Sequence, residues 1–127
     1  MISKNCAADY IMIKESVSNV ADVLLKHDAL LMCSRMEAFG RVTVEALKMG
    51  VPVIAADAGA SPELVQNGVN GYLYKSGNIE ALVDALIKFK NTTCNFDSAS
   101  IASYARSRFN EVQLGEQLKE IFSKDVK

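Results

Sequence analysis

Two carboxylates, Glu37 and Glu45, stand eight positions apart around a Phe39-Gly40-Arg41 segment. A carboxylate accepts hydrogen bonds from vicinal diols such as those of a sugar or a ribose. A glycine lets a ligand approach the main-chain amides closely. If both acids were helical, they would lie about 12 Å apart at ~1.5 Å per residue, the general length of a nucleotide diphosphate-sugar. One acid could then meet sugar hydroxyls and the other ribose hydroxyls, with the intervening amides facing a diphosphate. A second small-residue turn, Asp57-Ala58-Gly59-Ala60-Ser61, follows a different apolar run.

Each feature also has a plain structural reading. Ser34-x-x-Glu37 spells a capping box. Glu45 follows Arg41 by four residues and precedes Lys48 by three, so surface ion pairs account for it equally well. A small-residue turn before a helix is common. Lone His27 sits near a helix end, where positive charge suits the dipole. Cys33 closes an apolar run and is expected to pack there. Asp57 follows a strand, as a phospho-acceptor or metal ligand would, but without a second acidic cluster beside it.

The elements that would position these residues are legible as an alternation. "YIMIK" at 10–14, "ALLMC" at 29–33, "VPVIAA" at 51–56 and "GYLY" at 71–74 read as strands. The second and third are continuous apolar runs, as in strands covered on both faces. Between them, "SNVADVLLKH" has Val20, Val23 and Leu24 at helical spacing with Ser18 as a cap, and "GRVTVEALKMG" ends naturally at Gly50. "DAGASPELVQNG" reads as a loop and short helix, with Ser61 as N-cap and Pro62 first in the helix. Over 78–91 the spacing predicts an amphipathic helix with Ile79, Leu82, Val83, Leu86 and Phe89 on one side. Two further helices, from about residue 96, meet near Phe109-Asn110; Leu114, Leu118, Ile121 and Phe122 mark the second. Strands alternating with helices imply right-handed crossovers and a parallel sheet. Ligands of such sheets bind beyond the carboxyl ends of the strands. The loops holding Glu37 and Gly59 both lie there, each before a helix N-terminus that favours an anion.

Bulk properties set the frame. The 127 residues suit one domain, and 14 basic side chains balance 15 acidic ones, which leaves no footprint for nucleic acid. No apolar run approaches the ~20 residues of a membrane span, and no signal peptide is evident. Cys6, Cys33 and Cys94 are too scattered for a disulfide framework or zinc site, so reduced thiols and a cytoplasmic setting are expected.

The linked string Ser34-Arg35-Met36-Glu37-Ala38-Phe39-Gly40-Arg41-Val42-Thr43-Val44-Glu45-Ala46-Leu47, then Gly50-Val51-Pro52-Val53-Ile54-Ala55, resembles the nucleotide-sugar-binding half of the GT-B retaining glycosyltransferases called group 1 or family 4. That family carries an S-x-x-E-x-F-G segment, an E-x7-E pair, A-x-G-x-P-V-I and G-G-x-x-E; the last corresponds here to Gly59-Ala60-Ser61-Pro62-Glu63. Asn67-Gly68-Val69-Asn70-Gly71-Tyr72-Leu73 is similar to its following N-G-x-N-G-x-L. The resemblance runs from about Tyr10 to Phe89, with a fainter likeness in "ARSRFNEVQ". Ala60 replaces the second family glycine, Lys48 a common alanine and Cys33 a common proline.

The resemblance implies a Rossmann-like parallel sheet flanked by helices, a truncated half of a GT-B fold, with residues 1–127 forming a partial donor-binding domain. It implies retaining transfer of a sugar from a nucleotide-diphosphate donor, with no cofactor and no metal. Glu37 would contact donor-sugar hydroxyls at the reacting end. Ala38, Phe39, Gly40 and Arg41 would lie by the sugar and diphosphate, Glu45 would hold the ribose, and Gly59 would line the second loop. The family's upstream acceptor domain and its diphosphate-clamping Arg/Lys pair have no counterpart here. The chain is therefore expected to be inactive alone, as a fragment or one subunit of a split enzyme, peripheral at a membrane only through the full enzyme. The family's strand order, 3-2-1-4-5-6, leaves strand 29–33 without a neighbour. Either strand 10–14 pairs with it or another chain does, an edge-strand homodimer included. Two other readings stand beside this one: a GT-B-like sugar-nucleotide epimerase, and a non-catalytic flavodoxin- or receiver-like α/β module.

Overall fold

The computed structural model describes residues 10–124, without the side chains of residues 111, 113, 114 and 117. Expectations for Cys6 and Leu114 lie outside that set. Three strands, β1 (Leu30–Met32), β2 (Val53–Ala56) and β3 (Gly71–Tyr74), form a parallel sheet in that order. Leu30 pairs with Val53, Met32 with Ala55, Val53 with Gly71 and Ala56 with Tyr74.

Helices cover both faces of β2, and every residue of that strand is buried. On one face Val53 and Ala55 pack with Leu24 of α1 (Val20–Leu24), Ala46 and Leu47 of α2 (Arg41–Lys48), Leu64 of α3 (Ser61–Leu64), and Ile101 and Ala105 of α5 (Ser98–Arg108). On the other, Ile54, Ala56, Tyr72 and Tyr74 meet Ala85 and Phe89 of α4 (Ile79–Thr92), with Phe96 edge-on to the Tyr72 ring at 5.6 Å. A short 3-10 turn, Thr93–Asn95, leads into α5, and α6 (Glu111–Lys124) ends the described chain.

α5 holds α2 in place from its carboxyl end. Gly50, with φ 77°, presses against the Ser98 main chain, where a Cβ would lie 2.4 Å from the carbonyl oxygen. Arg106 Nε donates to Lys48 O at 3.2 Å, occupying one of the carbonyls that a helix end leaves free. Asn70, almost fully buried, joins α3 to β3: its Nδ2 donates to Leu64 O and its Oδ1 accepts from Gln66 N. Part of the N-G-x-N-G spelling is thus an internal brace.

Several expectations need correction. Residues 10–14 form no strand; Tyr10, Met12 and Ile13 are 90%, 78% and 81% exposed. An apolar run becomes a strand only where a neighbour takes its hydrogen bonds, and the free side of β1 has not recruited it. The first helix is capped by Asn19, whose Oδ1 accepts from Ala21 N at 3.1 Å, and not by Ser18. Ser61 lies inside α3, so Ala60 is the cap, without a side-chain bond. α4 docks through Ala81, Leu82, Ala85 and Phe89, while Ile79, Val83 and Leu86 face outward. The small alanines allow the closer approach to the sheet. Cys33 is exposed instead of packed.

Candidate active site

The carboxyl ends of the strands converge as parallel topology requires. The loop after β1, residues 33–40, and the turn after β2, residues 57–60, touch main chain to main chain. Gly59, at φ 57°, is so close to Glu37 that a Cβ would stand 2.4 Å from Glu37 O and 2.9 Å from Glu37 N. Ala60 N donates to Glu37 O at 2.8 Å and locks the contact.

Half-buried Glu37 also turns its side chain to the entrance of α2, where Oε1 accepts from Gly40 N at 3.1 Å. This is a local cap, not the reciprocal box that Ser34-x-x-Glu37 suggested. Gly40 is itself the helix cap, at φ 62°. A side chain there would meet Leu64 Cδ1 at 2.5 Å. The first bond of the helical ladder runs from Val44 N to Gly40 O at 2.9 Å. The amides of Arg41, Val42 and Thr43 precede that ladder, and with the helix dipole they make an anion-attracting mouth. Ala38, Phe39 and Arg41 are exposed around it, Phe39 at 80%.

Glu45 lies further along. It is exposed and faces a hollow of about 310 Å³ that it shares with Ser18, Asn19, Val20, Ala21, Leu24 and Met49. The structure therefore joins Glu37, Gly40 and Gly59 in one contact and leaves Glu45 on the adjoining flank. Among the described residues Glu45 forms no ion pair with Arg41 or Lys48. Ser18 and Asn19 line this hollow beside Glu45. Spacing gives no sign of them, because α1 brings them beside α2 from a distant part of the chain.

Tyr74 closes β3 at the carboxyl end of the sheet, near the Cys33 thiol. Burial, then the hydrogen bond to the Cys33 thiol, then the charge of Cys33 push the Tyr74 phenol from 10.0 up to about 12. The native state thus holds this proton more tightly than the unfolded chain does. The associated stability is complete below pH 10 and is lost as pH rises from about 10 through 12. Spectrophotometric titration should show a late phenolate that vanishes in Tyr74→Phe; identical titrations of the two proteins would refute the contact.

Among the described residues no three or more His, Cys, Asp or Glu side chains cluster as metal ligands do. Asp57 therefore lacks the acidic company that a receiver-like site requires. No helix among them is long and apolar enough to cross a membrane.

The family model described as "Glycosyl transferases group 1" matches residues 3–108. An N-acetyl-alpha-D-glucosaminyl L-malate synthase of Bacillus anthracis is 36% identical over 80 residues, 63% of this chain and 21% of its own length. The lipopolysaccharide core biosynthesis mannosyltransferase LpsB of Rhizobium meliloti is 32% identical over 111 residues, 86% of this chain and 32% of its own length. HepE of Anabaena, solved in complex with UDP, superposes with a TM-score of 0.87 at 28% identity, over 97% of this chain and 35% of that one. The chain thus spans about a fifth to a third of these relatives. A sucrose-phosphate synthase from Thermosynechococcus elongatus, at 20% identity and a TM-score of 0.84, shares the fold.

Proposed function

The chain belongs to the group 1 glycosyl transferases, and on that premise we propose that it is the donor-binding part of a retaining glycosyltransferase taking a nucleoside-diphosphate sugar. The observation that carries this reading is the seat of the Gly59 turn against Glu37 beside the α2 entrance. Similar proteins with UDP and with UDP-glucose bound support the class of donor.

The diphosphate would lie over the amides of Arg41 to Thr43. Negative charge grows on the leaving phosphate as the glycosidic bond breaks, so these fixed dipoles stabilise the transition state more than the bound donor. Glu37 spends one hydrogen bond on Gly40 and retains acceptor capacity for donor-sugar hydroxyls. Ala38, Phe39 and Arg41 line the path of the sugar. The ribose diol would meet Glu45, with the base in the hollow toward Ser18 and Asn19. The acceptor would be held by polypeptide beyond this chain, which is inactive on its own. The charge balance offers nucleic acid no surface, and exposed unpaired thiols suit a cytoplasmic setting.

Calorimetry with UDP, UDP-glucose, GDP and ADP tests the reading. Binding of at least one is expected, weakened about tenfold by Glu45→Ala, since the hydrogen bonds of a diol to a carboxylate contribute about 1–2 kcal/mol. Indifference to every nucleotide, or equal affinity in Glu45→Ala, would count against it. An epimerase or a receiver-like module finds no support in the geometry that outweighs this.

A further inference from the structure

Thr43 is the third residue of α2, and its hydroxyl has no hydrogen-bond partner although the residue is fully buried. Buried hydroxyls are nearly always bonded, because desolvating one without a partner is costly. This one stands at the mouth of the candidate site. Its Oγ1 lies 3.8 Å, and its Cβ 3.6 Å, from the place a Gly40 Cβ would take. The third helical position is also the one from which a side chain reaches back to the N–H of the cap residue. That cap residue is Gly40.

The Gly40 N–H is already taken, by Glu37 Oε1 at 3.1 Å. Gly40 is buried, so water cannot replace that acceptor. Yet Glu37 is the acid expected to meet the donor sugar. A vicinal diol offers two hydroxyls side by side, and a carboxylate receives both on its two oxygens. Turned squarely to such a diol, Glu37 carries Oε1 away from Gly40 and leaves a buried N–H without a partner. That loss would subtract from donor affinity. A second acceptor beside Gly40 abolishes it, and the unbonded hydroxyl of Thr43 is beside Gly40.

We propose that Thr43 is a positioning residue: its hydroxyl accepts the Gly40 N–H when a donor-sugar diol claims the Glu37 carboxylate. The inference rests on the donor-binding reading above. In the free chain Glu37 caps the helix and the hydroxyl is left unbonded. With the sugar seated, both Glu37 oxygens serve the diol, Thr43 Oγ1 holds Gly40, and α2 keeps its entrance amides in place under the diphosphate. The hydroxyl thus lowers stability in the free state and raises affinity in the bound one. A nucleoside diphosphate without a sugar leaves Glu37 on Gly40 and makes no demand on Thr43. Ser61 Oγ, likewise buried and unpartnered, lies on α3 and serves as the control.

Calorimetry and thermal unfolding of the 127-residue chain test this. UDP is paired with UDP-glucose, and GDP with GDP-mannose. Thr43→Val, which keeps the shape without the hydroxyl, should weaken the sugar-bearing member of the bound pair about tenfold and leave the bare diphosphate unchanged. Thr43→Ser and Ser61→Ala should bind both as the wild type does. Without ligand, Thr43→Val should unfold at the wild-type Tm or above it. Glu37→Ala should lower the Tm by about 3–5 °C more in a Thr43→Val background than in the wild type, because only there is the Gly40 N–H orphaned. Equal losses for diphosphate and nucleotide sugar would make Thr43 a mere support of α2 and overturn the proposal. So would undiminished nucleotide-sugar affinity in Thr43→Val, an equal loss in Thr43→Ser, or additive Tm losses. A sugar-specific loss in Ser61→Ala would make that hydroxyl the acceptor instead. A chain that binds no nucleotide overturns the donor reading and the handover together; the other results overturn the handover alone.

Discussion

Gly71→Ala is expected to remove a large part of the stability of the protein. Gly71 opens β3 directly beside Val53 of the buried central strand. A Cβ there would lie 1.8 Å from Val53 O, 2.8 Å from its carbonyl carbon and 3.0 Å from its nitrogen. The obstacle is the main chain of Val53, so no rotamer change relieves it. The strands must separate, and with them the two core layers anchored on β2. Overpacking a core by a group usually costs about 1–3 kcal/mol, and an obstructing backbone belongs at or above the upper end. That is a large part of the ~5–15 kcal/mol that holds a typical domain together. Gly68→Ala is the control. Gly68 has φ 76° but nothing within 4 Å of an added Cβ, so only left-handed strain is incurred, about 1–2 kcal/mol. Urea unfolding of both variants checks the difference; equal midpoints would show that β2 and β3 do not approach as described.

Gly59→Ala should act on binding rather than on folding. Its Cβ would strike Glu37 O and N, again main chain, but in exposed loops that can move apart without opening the core. Separation breaks the Ala60 N to Glu37 O bond and carries the Glu37 carboxylate away from Gly40. Losing the hydrogen bonds that donor-sugar hydroxyls make to a charged group costs about 1.5–3 kcal/mol, roughly ten- to a hundredfold in affinity. Nucleotide-sugar affinity is therefore expected to fall by about that factor, with a stability loss smaller than that of Gly71→Ala. Undiminished affinity in a folded Gly59→Ala protein would separate the glycine turn from the donor site.

Much of this was legible in the residues because it depends on local pattern and on topology. The unbroken apolar run of β2, the spacing within α2 and the break near Phe109-Asn110 each follow from the sequence. So does the meeting of the Glu37 and Gly59 loops, because alternating strands and helices leave a parallel sheet few other arrangements. What stayed hidden depends on partners distant in the chain. Residues 10–14 have strand composition, but composition cannot provide a neighbour. The apolar side of α4 was visible, yet its division into a docked face and an outward flank was set by where Ala81 and Ala85 let it approach. The two acids looked like the ends of one cradle. Their spacing was real, but the wall that gives Glu45 a separate hollow comes from α1, and nothing near Glu45 announces it.

The grip of α5 on α2 has a mechanical meaning. With Lys48 O held by Arg106 and Gly50 seated on Ser98, the eight-residue rod is tied at its rear, and Gly40 N bonded to Glu37 ties its front. A swing of about 5° over its ~12 Å length would shift the leading amides by about 1 Å, and a rod tethered at both ends resists it.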